Sequence, residues 1–176
     1  KMPSSKIKVT QSEMGGGFGG KTTLYAEPAA IMLSKKARRP VKIVLTRSEV
    51  FRATGPVCAT RSRIKIGVTN EGRITAAEAE MIFQAGAFPG SMFDNAPKAM
   101  FTRYNLENVK TVSYEVVCNR AKVNAFRAPC VPQVVFGVEG IIDELAQKLG
   151  MDPLELRLKN AAAEGYKTVF GETFCP

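Results

Sequence analysis

Residues 15–22 read GGGFGGKT, and how this octapeptide is understood decides what fold the chain is given. Letter for letter it satisfies G-x-x-x-x-G-K-[ST], the loop that cradles nucleotide phosphates. In such a loop the lysine and threonine open a helix whose amides and dipole face the phosphates. Here Pro28 lies seven residues beyond Lys21. A helix begun at Lys21 would carry that proline in its interior, losing a hydrogen bond and clashing with the Leu24 carbonyl, at a cost of about 3 kcal/mol. The spacing predicts instead a helix starting at Pro28 and running through Ala37, with residues 22–27 as a connection. A nucleotide hydrolase also needs an apolar strand ending in a metal-binding carboxylate. Val41–Leu45 runs into Thr-Arg and Met81–Phe83 into Gln, so that partner motif is missing. A nucleotide loop and a purely structural glycine turn stay as the lesser readings. The greater one is that five glycines around Phe18 let backbone approach a ligand closely and leave amides free for negative charge, which suits an anionic, oxygen-rich cofactor.

Outward from this loop, residues 6–12 alternate enough for a short strand, and 41–46 form a second, apolar one. Ile64, Ile66 and Val68 alternate with Arg63, Lys65 and Gly67; the Asn70-Glu71-Gly72 turn leads into an extended run at 74–83, which makes a hairpin. A further half-buried strand is expected where Val112, Tyr114, Val116 and Cys118 alternate with Ser113, Glu115 and Val117. The clearest helix spans about 132–149, its stripe formed by Val134, Val135, Val138, Ile141, Ile142, Leu145 and Leu149, with Gly150 as its left-handed stop. Asp152-Pro153-Leu154-Glu155 then caps and opens another helix. The fold class expected is α+β, a mixed sheet with packed helices, without regular βαβ alternation.

Composition sets outer limits. The chain has 176 residues, 45% of them hydrophobic, but no apolar run approaches the roughly 18 residues a membrane span requires. Lys1 to Ser12 is polar, so no signal peptide is expected. There is no histidine, and the four cysteines (58, 118, 130 and 175) form no C-x-x-C pair, which excludes a Ser-His-Asp or Cys-His dyad and leaves free thiols in a cytoplasmic protein as the natural reading. The net charge of +9 could suggest nucleic acid. Its carriers are scattered, however, and the one dense run, Lys35-Lys36-Ala37-Arg38-Arg39, falls where a helix C-terminus welcomes cations; a solvated face or an acidic partner subunit fits better, with no nucleic acid.

A second cluster, residues 124–133 (NAFRAPCVPQ), is a proline-stiffened loop delivering into the long helix, and Arg127 is its one permanently charged donor fork. GGGFGGK, RPVKIVLTRSE at 39–49, QAGAF at 84–88, AFRAPCVPQ and EGIIDELAQKLGMDPLELRLKN at 139–160, in this order and spacing, resemble the molybdenum-binding subunit of the xanthine dehydrogenase and aldehyde oxidase family of molybdenum hydroxylases. The resemblance implies an α+β molybdopterin-binding domain of which residues 1–176 are a fragment, the parent domain being incomplete. It implies a molybdenum–molybdopterin cofactor, in its simple or cytosine dinucleotide form, and hydroxylation of an aldehyde or N-heterocycle with water as oxygen source. Iron–sulfur (2Fe-2S) and FAD groups are then expected on partner domains or subunits, beside the remainder of the molybdenum subunit.

Carried over by position, Gly16, Gly17, Phe18, Gly19 and Gly20 resemble the loop against the metal's oxo group, and Ala125, Phe126 and Arg127 the second contact to it. Phe18 and Arg127 are the residues that would touch the metal centre through backbone or outer-sphere contacts. The substrate pocket falls to Thr22, Pro89 and Pro129. Xanthine-oxidising members have glutamate where this chain has Thr22, an arginine near 87–90, and an aromatic residue where Pro129 stands, so purine oxidation is disfavoured. Cys130 replaces a common glycine and reads as a packing residue. The general base is expected beyond Pro176, so this stretch holds no catalytic residue of its own and would be inactive alone. A non-catalytic interaction domain that kept the fold is the second reading.

Overall fold

The computed structural model describes residues 2–173; Cys175 lies outside them. A 3-10 turn at Ser4–Lys6 precedes a long irregular stretch. Five helices and three strands follow: α1 (Glu27–Ala37), α2 (Arg47–Ala53), β1 (Thr60–Val68), β2 (Ile74–Gly86), α3 (Asn95–Met100), β3 (Val109–Val117), α4 (Val131–Leu149) and α5 (Pro153–Asn160). β1 and β2 are the expected antiparallel hairpin, in register from Thr60 opposite Phe83 to Val68 opposite Ile74. β3 joins β2 in parallel, after a crossover that carries α3, and the sheet order is β1-β2-β3. The α+β expectation therefore holds.

One face of the sheet is the core. Ala77, Ala79, Met81 and Phe83 of β2 point into it, met by Val134, Val138, Ile142 and Ala146 of α4 and by Met100 of α3. The four α4 residues recur every fourth position, which places them on one stripe. Burying each of the three branched ones contributes roughly 1.5–3 kcal/mol. Gly150 stops α4 in the left-handed region at φ 65°, and the Asp152 carboxylate accepts from the Leu154 and Glu155 amides to start α5.

Two expectations fail. Residues 6–12 form no strand, and 41–46 form none either, because no neighbouring strand accepts them: Val9 and Val44 lie in solvent. Thr46 instead caps α2, its hydroxyl accepting from the Glu49 amide (3.3 Å) while the Glu49 carboxylate accepts from the Thr46 amide (2.7 Å). This capping box was readable in Thr-Arg-Ser-Glu but is masked by the apolar run before it. β3 is the half-buried strand that was expected, and the structure adds its facing. Tyr114 and Val116 turn outward, and the alternate residues Ser113 and Glu115 turn toward the protein. The parallel register with β2 fixes this facing, and Glu115 has a use inside: its carboxylate accepts from the Gly90 amide (2.8 Å) and from the Ser91 amide, pinning the loop after β2.

The two ends of the sheet are closed differently. At the hairpin end, buried Asn160 of α5 accepts from the Ile74 amide and donates to the Gly72 and Leu156 carbonyls, each at 2.8 Å. At the other end β2 runs on into irregular chain that is stitched backbone to backbone: Gln84 to Ala59, Val123 to Ala85, Asn124 to Pro56. The site is built on this second end. α1, by contrast, buries none of its residues, and Ile31, Met32 and Leu33 face outward.

Candidate cofactor site

The glycine loop does not open a helix. α1 begins at Glu27, with Pro28 in its first turn, as the proline argument requires. Residues 17–20 make a tight turn closed by the Gly20 amide on the Gly17 carbonyl (2.9 Å), and the Thr22 hydroxyl donates to the Gly19 carbonyl (3.0 Å). Phe18 is left-handed at φ 49° and Gly19 at φ 87°. The nucleotide-loop reading therefore loses the helix terminus on which it depends.

The two clusters singled out in the sequence, more than 100 residues apart, meet. The Arg127 amide donates to the Phe18 carbonyl at 2.9 Å. Gly19 lies so close to the second loop that a β-carbon there would stand 2.7 Å from the Ala125 carbonyl oxygen and 2.8 Å from its carbon. This is a position where only glycine fits, on both space and φ. A strap from the first loop adds to the contact: the Asn124 amide group donates to the Thr23 hydroxyl (3.1 Å) and to the Tyr25 hydroxyl. The Asn124 side-chain oxygen, Oδ1, accepts from the Ala125 backbone amide (2.8 Å). Asn124 is the residue that sequence reasoning quoted without giving it a task; the adjacency of a short amide side chain to Ala-Phe-Arg was its only signal.

The walls so formed are rich in donors and contain no acid. Among the described residues, the amides of Gly16, Gly17, Phe18 and Gly19 donate to no protein group, and the Arg127 guanidinium has no hydrogen-bonding or ion-pair partner. No carboxylate occurs in 14–26 or in 124–133. Behind Arg127, α4 starts at Val131 with no side-chain cap and no acidic residue in its first turn, so the positive end of a 19-residue helix dipole also faces this region. Phe18 and Phe126 present their rings to solvent, at 69% and 63% exposure. An open groove of about 880 Å³ continues from Phe126 and Arg127 between β1 and α4, floored by Thr60 and Gln133 and edged by Val57 and Phe136.

Of the other positions expected at the site, Pro89 stands exposed on the loop held by Glu115 and by Lys122, whose ammonium donates to the Gly90 carbonyl (2.8 Å). Pro129 is half-buried beside Cys130, and the Cys130 thiol reaches the Ser91 carbonyl at 3.3 Å, so the loop of Pro89 and the loop of Pro129 are tied together. Thr22 sits on the glycine turn. Cys130 is buried in the core, in keeping with a packing role. Among the described residues no group of three potential metal-ligating side chains occurs.

Residues 1–161 match the family model of the molybdopterin cofactor-binding domain. The chain belongs to this family. Among its relatives are the large molybdopterin subunit of nicotinate dehydrogenase of Eubacterium barkeri, 32% identical over 97% of this chain and 41% of that protein, and the xanthine dehydrogenase molybdenum-binding subunit of Escherichia coli, 33% identical over 93% of this chain and 22% of that protein. Solved structures agree. The aldehyde oxidoreductase of Desulfovibrio gigas superposes with a TM-score of 0.77 at 32% identity, over 91% of this chain and 18% of that one. Quinoline 2-oxidoreductase of Pseudomonas putida gives 0.82 at 25%, over 93% and 22%. The chain thus spans from about a fifth to two-fifths of the length of these proteins. Among the described residues no helix is long and apolar enough to cross a membrane.

Proposed function

We propose that this segment is part of the molybdenum-binding subunit of a molybdenum hydroxylase, and that Gly16–Gly20 and Ala125–Arg127 form one wall of its cofactor cavity. The observation that carries the reading is the docking of Arg127 on Phe18, with Gly19 seated against Ala125. The residues fit such a group: unbonded amides, an unpaired guanidinium and an uncapped helix start favour an anion, and two exposed rings favour a flat partner. Molybdenum held by a pterin dithiolene supplies two-electron oxidation with oxygen drawn from water. This chain's residues would bind and orient it: the Gly16 to Gly19 amides by hydrogen bonds, Arg127 by charge, and Phe18 by excluding water from the face it covers. Moving the proton of the attacking water falls to a base elsewhere in the full-length protein.

The substrate class we infer is an aldehyde or a simple N-heterocycle. Thr22, Pro89 and Pro129 offer no charge to clamp a purine, and the relatives are named for nicotinate, quinoline and aldehyde as well as for xanthine. Electrons would leave through iron–sulfur and flavin groups on partner domains or subunits. The test is elemental and fluorescence analysis of the full-length protein for molybdenum and oxidised pterin, followed by assays with an aromatic aldehyde, nicotinate and xanthine. Absence of both metal and pterin would overturn the reading; turnover of xanthine alone would overturn the substrate class.

A further inference from the structure

Beneath the Arg127 loop lies a chemical feature that the cofactor reading does not use. Cys58, just before β1, and Cys130, just before α4, place their sulfur atoms 3.4 Å apart, unbonded, at 6% and 3% exposure. Their surroundings are polar for a core. The Gln133 amide group approaches the Cys58 sulfur at 3.5 Å, the Thr60 hydroxyl lies at 3.9 Å, and the Cys130 thiol also reaches the Ser91 carbonyl at 3.3 Å. The Gln133 side-chain carbonyl oxygen in this cluster has no hydrogen-bond partner. The contact with the Cys130 sulfur lowers Cys58 to about 6. The same contact, with burial, pushes Cys130 up. Cys58 is thus the sulfur of the pair that gives up its proton more readily.

We propose that Cys58 and Cys130 are a redox-modification site, a dithiol that closes reversibly to a disulfide and thereby resets the loop that carries Arg127. The oxidant is a peroxide. Cys58 thiolate attacks one peroxide oxygen, the O–O bond breaks, and the departing oxygen leaves as water after taking a proton; Cys58 becomes a sulfenic acid. The Cys130 sulfur then attacks the Cys58 sulfur and hydroxide leaves, taking the Cys130 proton as a second water. Two electrons pass from the two sulfurs to the peroxide, and a reducing dithiol returns them. Access is short, since Thr60 and Gln133, which flank the Cys58 sulfur, also floor the open groove.

The loop is coupled by geometry. Bonding would draw the sulfurs about 1.4 Å closer, to the roughly 2.05 Å of a disulfide. Cys130 sits at φ 65°, and Arg127 and Ala128 are also left-handed, at 26° and 56°. A segment with three non-glycine residues already in that region has little slack, so the displacement is passed toward the Arg127 amide and its bond to Phe18.

The experiment uses the full-length protein, reduced, freed of reductant and titrated with hydrogen peroxide. Free thiols are alkylated, and non-reducing peptide mapping is paired with hydrogen exchange across 16–20 and 125–130. The expected result is a Cys58–Cys130 linked peptide that dithiothreitol removes, with Cys118 still alkylatable, and exchange at the Arg127 amide faster by about fivefold or more, the value for one lost hydrogen bond. In C130S the linked peptide is absent while Cys58 sulfenic acid is trapped by dimedone. Both thiols remaining alkylatable when Cys118 has been oxidised would overturn the proposal, and so would a linked peptide with unchanged exchange in both loops. The wild-type protein alone decides either way, and neither readout requires that molybdenum be bound.

Discussion

Gly19→Ala isolates the contact on which the cofactor site depends. The substitution forces a β-carbon to 2.7 Å from the Ala125 carbonyl oxygen, a backbone atom that cannot swing aside, at φ 87°. The left-handed conformation costs an alanine about 1 kcal/mol, and relieving the overlap by shifting backbone costs a further 1–3 kcal/mol or so. The sum, about 2–4 kcal/mol, lowers the docking equilibrium constant by roughly 30-fold to 1000-fold, and the apparent affinity for the cofactor falls with the docked fraction that remains. Gly15→Ala is the control within the same motif, because a β-carbon at Gly15 meets nothing within 4 Å. Molybdenum and pterin per subunit should fall severely in Gly19→Ala and stay at the wild-type level in Gly15→Ala, with thermal unfolding checking that both fold. Equal loading of the two variants would refute the reasoning, since the glycines would then matter only as a flexible run.

Arg127→Met keeps the backbone bond to Phe18 but removes the charge; thermal stability should change little, while cofactor retention on gel filtration weakens by at least about tenfold, as expected for a lost charged hydrogen bond. Asn160→Ala leaves a buried amide and two buried carbonyls without their partners. It should cost about 2–4 kcal/mol, read from a urea midpoint shift at unchanged slope. Tyr104, buried with its hydroxyl shared by both Glu139 oxygens at 3.0 Å, is pushed up to about 12, first by burial and then by that hydrogen bond. Its contribution, about 3 kcal/mol at most, is present below pH 10 or so and is lost as pH rises through about 12, a slope that Tyr104→Phe should remove from the stability–pH profile.

How far the sequence could be read followed from how local the deciding interaction was. Pro28, Gly150 and the Asp152-Pro153 start act within a turn or two, so α1, α4 and α5 were legible to a residue or so. The β1–β2 hairpin was legible because alternation and turn agree. β3 was legible as a half-buried strand, but the side it buries was not: that depends on a parallel register with β2 and on Glu115 reaching Gly90, neither of which the alternation of Val112, Tyr114 and Val116 encodes. Residues 41–46 read as a strand because an apolar run carries no record of whether a neighbouring strand exists. At the site, the meeting of the two loops followed from the family resemblance, not from their spacing. The work of Asn124 and the approach of Cys58 to Cys130 rest on contacts across 72 to 101 residues, for which a single sequence holds no signal.

The outward-facing side chains of α1 have a practical bearing. Ile31, Met32 and Leu33 are each exposed on successive sides of the helix, and no described residue shields them. A recombinant piece cut to this length would clump or drag chaperones through purification, and grafting Lys or Glu onto those three positions would be the way to keep it monodisperse for spectroscopy.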